Sequence, residues 1–178
     1  MSNLKIGIDI DGVLYPWHEI VYREIGEDTG LSFNDFWVNY IPSMSEDRQK
    51  YIVSIPLYYE RALLSEDART YLPRLAELGE LFFITARDIS LQRITEKFLN
   101  KNKVPFKENL FLEKDKGYLA RMLQLNYFVD DFISNYDSVG KTAKAFLFAQ
   151  PWNRSERGNR DTIYSIKDLY ESIRGEIQ

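Results

Sequence analysis

Residues 4–13 read LKIGIDIDGV, and the fold turns on them. Residues 4–10, LKIGIDI, are a short, mostly apolar run that ends at acid and glycine. An apolar run without polar alternation is the mark of a strand buried on both faces, and such strands belong to parallel sheets. The pattern recurs at 81–85 (LFFIT), 109–113 (NLFLE), 127–130 (YFVD) and 143–149 (AKAFLFA). Segments with helical spacing separate these runs. Residues 65–80 open on a Ser cap and place Leu72, Leu75 and Leu78 near one face, despite Pro73. Residues 88–101 carry Leu91, Ile94 and Phe98, and 117–125 form a short apolar-faced helix. Residues 165–175 are capped by Ser165 and closed by Gly175. This alternation predicts an α/β fold, a three-layer Rossmann-like parallel sheet.

One stretch breaks the alternation. From Tyr15 to about Leu64 the segments are helical or irregular, with many aromatics, among them Trp17, Phe36, Trp37, Tyr58 and Tyr59. It reads as a small helical cap inserted after the first strand. The expected domains are a core of 1–14 with 65–178 and a cap of 15–64.

Composition narrows the chemistry. The 178 residues suffice for one domain with a small insertion. There is no Cys, so disulfide frameworks, thiolate zinc sites and cysteine nucleophiles are excluded. A single histidine, His18, excludes multi-His metal sites. Catalysis must rest on carboxylates, hydroxyls and lysines. The net charge of -4 argues against a protein that coats nucleic acid. No run approaches the length of a membrane span, and the acidic pair in MSNLKIGIDIDG stands where a signal peptide needs apolar residues. The expectation is a cytoplasmic protein with no membrane and no nucleic-acid partner, and with its oligomeric state, a homodimer included, left open.

Chemistry-bearing residues gather where strands end, the place at which parallel sheets bind ligands. Asp9 and Asp11 follow the first strand, and a bend at Gly12 lets both face one site. That pairing suits a divalent cation and acid–base work. Thr85, Ala86 and Arg87 follow the second, Lys114 and Lys116 enter a short helix after the third, and Asp130-Asp131 close the fourth. Adjacent buried carboxylates are costly without a cation. Each element alone is weak, and the order of all four is specific. Gly140-Lys141-Thr142 is no P-loop, because it lacks the upstream glycine and precedes a strand.

In these four elements the sequence resembles the haloacid-dehalogenase-like phosphohydrolase superfamily over Lys5 to Ala149. Within it the chain is similar to the 5'(3')-deoxyribonucleotidases and their bacterial and phage relatives, through DxDGVL, ITAR, LEKDK with VDD, and Pro151-Trp152-Asn153-Arg154. It departs from them at Ala86, where those enzymes usually carry Ser. The resemblance implies Asp9 as nucleophile forming an aspartyl phosphate, Asp11 as general acid and base, and phosphate held by Thr85, the Ala86 backbone and Lys116, with Lys114 the alternative. It implies Mg2+ held by the Asp9 carboxylate, the Asp11 backbone carbonyl and Asp130, with Asp131 acting through water or hydrogen bonds. It implies a small phosphorylated substrate, first a nucleoside or deoxynucleoside monophosphate acted on by a 5'-nucleotidase. A phosphosugar, a nucleic-acid 3'-phosphate, phosphotransfer between small molecules and a non-catalytic nucleotide-binding protein are the alternatives. Phe36 and Trp37 either stack on a base or pack inside the cap, and Arg87 either touches substrate or pairs with Asp88 or solvent.

Overall fold

The computed structural model describes residues 4–53, 55, 59–60, 63–106 and 108–178. Tyr58 and parts of the expected 1–14 and 15–64 boundaries lie outside the described residues. Six strands form one parallel sheet: β1 (Leu4–Ile8), β2 (Gly79–Thr85), β3 (Leu110–Leu112), β4 (Tyr127–Asp130), β5 (Lys144–Phe148) and β6 (Thr162–Ile163), in the order β3-β2-β1-β4-β5-β6. The order reverses between β1 and β4, which opens a crevice beyond their carboxyl ends. The first five strands fall on the five apolar runs. The sixth, two residues on the sheet edge, has no apolar run to announce it.

Period-two alternation splits each strand between two cores. Leu81 and Phe83 of β2 join Ile6, Ile8, Tyr127 and Val129 on one face. Phe82 and Ile84 join Phe128, Leu125, Ala120 and Val139 on the other. The first face is covered by the helices Glu66–Leu78, Gln92–Lys101 and Ile166–Ile177, the second by Lys116–Leu123 and Ile133–Val139. Gly7 points to the second face, where a Cβ would stand 2.6 Å from both Leu125 and Phe128, so that position has no room for a side chain.

Helix starts follow their caps. Ser65 accepts from the Ala68 N–H, Ser165 from the Asp168 N–H and Asp115 from the Tyr118 N–H; caps of this kind stabilise by about 1 kcal/mol each. The helix Glu66–Leu78 runs through Pro73 because Ala68, Leu72 and Leu75 are anchored in the core. The last helix does not close at Gly175 but continues to Ile177. Residues 88–101 open with a tighter turn, Ile89–Leu91, before the regular helix.

Between β1 and the helix at Glu66 the chain makes a helical excursion. It runs from Trp17–Val21 through wide turns at Tyr22–Gly26 and Phe36–Tyr40 to Glu46–Val53. Val21, Phe36, Ile52 and Tyr59 are buried in it. Among the described residues no helix is long and apolar enough to cross a membrane.

Candidate active site

The end of β1 is a sharp turn. The Asp9 N–H still pairs with the Val129 carbonyl (3.0 Å), and then Leu14 and Tyr15 both donate to the Ile10 carbonyl. Gly12 takes a φ of +79°, left-handed space that glycine enters without strain. A Cβ there would run into the Asp131 carboxylate. The turn therefore presents Asp9 to the crevice and lets Asp131 lie against it.

Asp9 is buried. Its Oδ1 accepts from the Ile10 N–H (2.7 Å) and lies 2.9 Å from the Lys116 ammonium. Among the described residues no hydrogen bond reaches Oδ2. Lys116, the first residue of its helix, is 2% exposed and also donates to Asp130 Oδ2 at 2.7 Å. Lys114 is exposed, so of the two lysines only Lys116 enters the centre. Asp130 is saturated: Oδ1 accepts from the Phe132 N–H (2.8 Å) and from Asn135 (3.1 Å), and Oδ2 from Lys116 and Asn135 (3.2 Å). Asp131 is not. Its Oδ2 accepts from the Trp152 indole N–H (3.0 Å), while its Oδ1 is buried with no hydrogen-bond partner among the described residues. The expected ligand Asp130 thus has its oxygens occupied by protein donors, while its neighbour Asp131 keeps one oxygen open.

One carboxylate oxygen from each of Asp9, Asp130 and Asp131 lies within 4.8 Å of the others, all buried. Three carboxylates thus face one ammonium. Burial pushes the Asp9 carboxyl up to about 8; Lys116 opposes this, and Asp130 and Asp11 add to it. Burial, reinforced by Asp130, likewise raises Asp131 well above the ordinary carboxylate range. Burial works against the Lys116 charge, but Asp9 and Asp130 more than offset it and raise its pKa. A buried acceptor with no donor, inside a hard-oxygen cluster of net negative charge, fits a cation such as Mg2+. The Asp11 carboxylate stands outside this trio.

Asp11 meets Arg87 instead. Arg87 Nη2 donates to Oδ1 at 2.6 Å and Nε to Oδ2 at 2.8 Å, a two-pronged pair. The remaining arm, Nη1, donates to Thr95 (2.9 Å), and the guanidinium lies over the Tyr59 ring at 4.3 Å. Arg87 is buried with these donors committed, so it pairs with Asp11 and Thr95 rather than with Asp88 or solvent. Thr85, fully buried, donates to Asp11 Oδ2 at 3.2 Å and accepts the Arg87 N–H. Ala86 beside it is exposed.

The aromatic pair of the excursion lies differently. Phe36 is 0% exposed, enclosed by Tyr22, Trp37 and Tyr40. It has no free face for a base, and the stacking role is corrected to a packing role. Trp37 is 8% exposed and packs on Trp17, His18 and Trp152. Burial pushes His18 down to about 3, against the pull of Asp11, which leaves the imidazole neutral near pH 7.

Motif reading missed the segment after β5. Gln150 donates to the Gly12 carbonyl (2.6 Å), Trp152 to Asp131, and Asn153 to the Asp131 carbonyl (2.8 Å). Its signal in the sequence was Pro151-Trp152-Asn153-Arg154, noted only for its resemblance.

No family model matches the chain. It is similar to a nucleotidase of Clostridium acetobutylicum, at 27% identity over an alignment of 201 residues that covers 96% of this chain and 97% of that one. Among solved structures, a haloacid dehalogenase-like family hydrolase of Streptococcus pneumoniae superposes with a TM-score of 0.65 at 13% identity, covering 97% of this chain and 99% of that one. Its fold is the haloacid-dehalogenase-like hydrolase fold. A haloacid dehalogenase-like protein of Agrobacterium tumefaciens, described as of unknown function, gives the same TM-score at 14% identity over 99% of this chain and all of that one. The acids after β1 and β4 and the lysine between them lie at the carboxyl ends of the strands, the edge at which parallel sheets bind ligands.

Proposed function

We propose that the chain hydrolyses phosphomonoesters with Mg2+, that Asp9 is its nucleophile, and that nucleoside or deoxynucleoside monophosphates are the substrates, as for a 5'-nucleotidase. The observation that carries this is the buried Asp9, with one oxygen tied by Lys116 and Ile10, beside an Asp131 oxygen that has no donor among the described residues.

Asp9 Oδ2 attacks phosphorus and the ester P–O bond breaks. With Asp11 swung out of its pair with Arg87 and protonated, the departing alkoxide takes a proton from its carboxyl, and Asp9 carries the phosphoryl group as an acyl phosphate, the covalent route open to a chain without Cys. A water then attacks phosphorus and gives its proton to the Asp11 carboxylate. The bond to Asp9 breaks and its carboxylate returns. Lys116 balances charge on Asp9 and on the phosphoryl oxygens. The Thr85 hydroxyl and the Ala86 N–H would complete the cradle, once an incoming phosphoryl group draws Thr85 away from Asp11. Asp9, the Asp11 backbone carbonyl and Asp131 would hold Mg2+, with Asp130 fixing Lys116 and the turn. When bound, Mg2+ supplies the positive charge that lets a phosphate approach a nest of carboxylates.

A carboxyl group at Asp11 suits proton delivery to an oxygen leaving group, which a departing halide does not need. The nucleotide is proposed from the Clostridium nucleotidase's similarity and from the aromatic segment 15–64, which the sequence marks as a cap insertion. A phosphate-release panel of nucleoside monophosphates, sugar phosphates and p-nitrophenyl phosphate, run with Mg2+ and with EDTA, tests the reading. The expected result is Mg2+-dependent release that is greatest on a nucleoside monophosphate and that Asp9→Asn reduces by about 10³-fold or more. Release in EDTA, or Asp9→Asn activity within tenfold of wild type, contradicts it.

A further inference from the structure

Asp131 is held on three sides. Its main-chain carbonyl accepts from Asn153 Nδ2 at 2.8 Å, its Oδ2 accepts from the Trp152 indole at 3.0 Å, and Gly12 of the nucleophile turn lies against the carboxylate, where no side chain fits. The segment that does this is itself braced. Asn153 Nδ2 also donates to the Phe148 carbonyl, its Oδ1 accepts from the Gln150 N–H and from Arg157 Nε, and Arg157 Nη2 closes the loop on the Gln150 carbonyl. A six-residue helical turn, Pro151–Glu156, is thereby fixed at the end of β5. From the other side comes the helical excursion. The His18 ring lies on the Trp152 ring, centroids 3.8 Å apart and 31° between planes. Trp17 and Trp37 close on His18 edge-on, at 4.8 and 4.7 Å. The indole is therefore fixed by packing above and by its hydrogen bond below.

We infer that Trp152 is a positioning residue for Asp131, its indole N–H holding one carboxylate oxygen so that the partnerless one faces the cation, and that His18 seats the indole. The inference rests on the reading of Asp131 as a metal ligand. A carboxylate with two free oxygens can rotate or bind in more than one mode; one oxygen tied to a rigid donor leaves a single geometry. Hydrogen-bonding partners of metal ligands typically contribute 10–100-fold in metal affinity. Trp152→Phe removes the N–H and keeps a ring for His18 to lie on, so the packing is largely retained.

The test is Mg2+ binding by isothermal titration calorimetry, with no substrate present, on wild type, Trp152→Phe, Asp131→Asn and the double variant, with melting temperatures as the folding control. The expected result is a Kd raised 10–100-fold in Trp152→Phe at a similar melting temperature, and no further loss from Trp152→Phe in the Asp131→Asn background, because the indole acts only through that carboxylate. His18→Leu should weaken Mg2+ in the same direction and by less. A Trp152→Phe protein that binds Mg2+ as wild type does, or that loses the same factor with and without Asp131, overturns this inference alone. A wild-type protein that binds no Mg2+ overturns the metal reading beneath it, and this inference with that reading.

Discussion

The strand-end centre and the helical excursion are both buried, both crowded, and both leave polar atoms without partners, yet they differ in what those atoms require. At the centre, Asp9, Lys116, Asp130 and Asn135 satisfy one another at hydrogen-bonding distances, and the orphan is an acceptor, Asp131 Oδ1, in a negatively charged pocket. In the excursion the cohesion comes from rings, and the orphans are Trp17 Nε1, Trp37 Nε1 and His18 Nδ1 in an uncharged cluster. The first region asks for a cation, because its buried carboxylates hold protons unless a positive charge offsets their burial, and a cation supplies that charge. The second tolerates its orphans by burying large aromatic area. Function is written at the centre in charges, while the excursion is held first by packing.

The largest stability effect should come from the excursion. Phe36→Ala removes a ring that is wholly enclosed, and a cost of about 3–5 kcal/mol is expected, read as a lowered urea midpoint. Trp37→Ala should slow a nucleoside monophosphate and p-nitrophenyl phosphate alike. A selective rise in KM for the nucleotide, with stability unchanged, would instead give Trp37 a face toward the base and blur the contrast between the two regions.

Next are the two adjacent acids, which should separate cleanly. Asp130→Ala removes one of the two carboxylates on Lys116 and the acceptor of Asn135 and the Phe132 N–H in a fully buried site. A loss of about 3 kcal/mol in folding stability is expected. Asp131→Ala should unfold the chain less and weaken Mg2+ more, since it deletes the oxygen that has no other partner. Stability and metal titrations on the pair decide this, and the opposite pattern would restore Asp130 as the open ligand.

Legibility followed the same divide. Five of the six strands were readable because burial on both faces forces an apolar run, and the acids were readable because strand ends in a parallel sheet converge on one crevice. The strand Thr162–Ile163 was not, since two edge residues need no pattern. That Arg87 pairs with Asp11 and Trp152 with Asp131 could not be read from spacing, because residues 76 and 21 positions apart meet only once the sheet is assembled. For Phe36 and Trp37 the sequence left stacking and packing equally open, as an aromatic in a helical segment satisfies both. The closure at Gly175 failed because the exposed glycine there adopts ordinary helical geometry.

The smallest effect concerns pH. Asp9, pushed up to about 8, and Asp131, raised with it, bind protons in the folded protein that the unfolded chain does not hold, so the metal-free protein loses stability as pH rises toward 8. His18, pushed down from 6.5 to about 3, acts oppositely, but only below pH 6.5. Between pH 6.5 and 8 the carboxylates act alone, and the metal-free protein should lose on the order of 2 kcal/mol. Mg2+ should raise the melting temperature more at pH 8 than at 6.5. An equal rise at both would show that the acids are already ionised without metal.

The central claim is that the phosphoryl group passes through Asp9, and the stereochemical course at phosphorus tests it most directly. Hydrolysis of an isotopically chiral phosphomonoester in labelled water would be followed by analysis of the configuration of the released phosphate. Two successive in-line displacements, first by Asp9 Oδ2 and then by water, predict retention. Inversion would mean that water attacks the substrate directly, and would contradict the account of Asp9 as nucleophile.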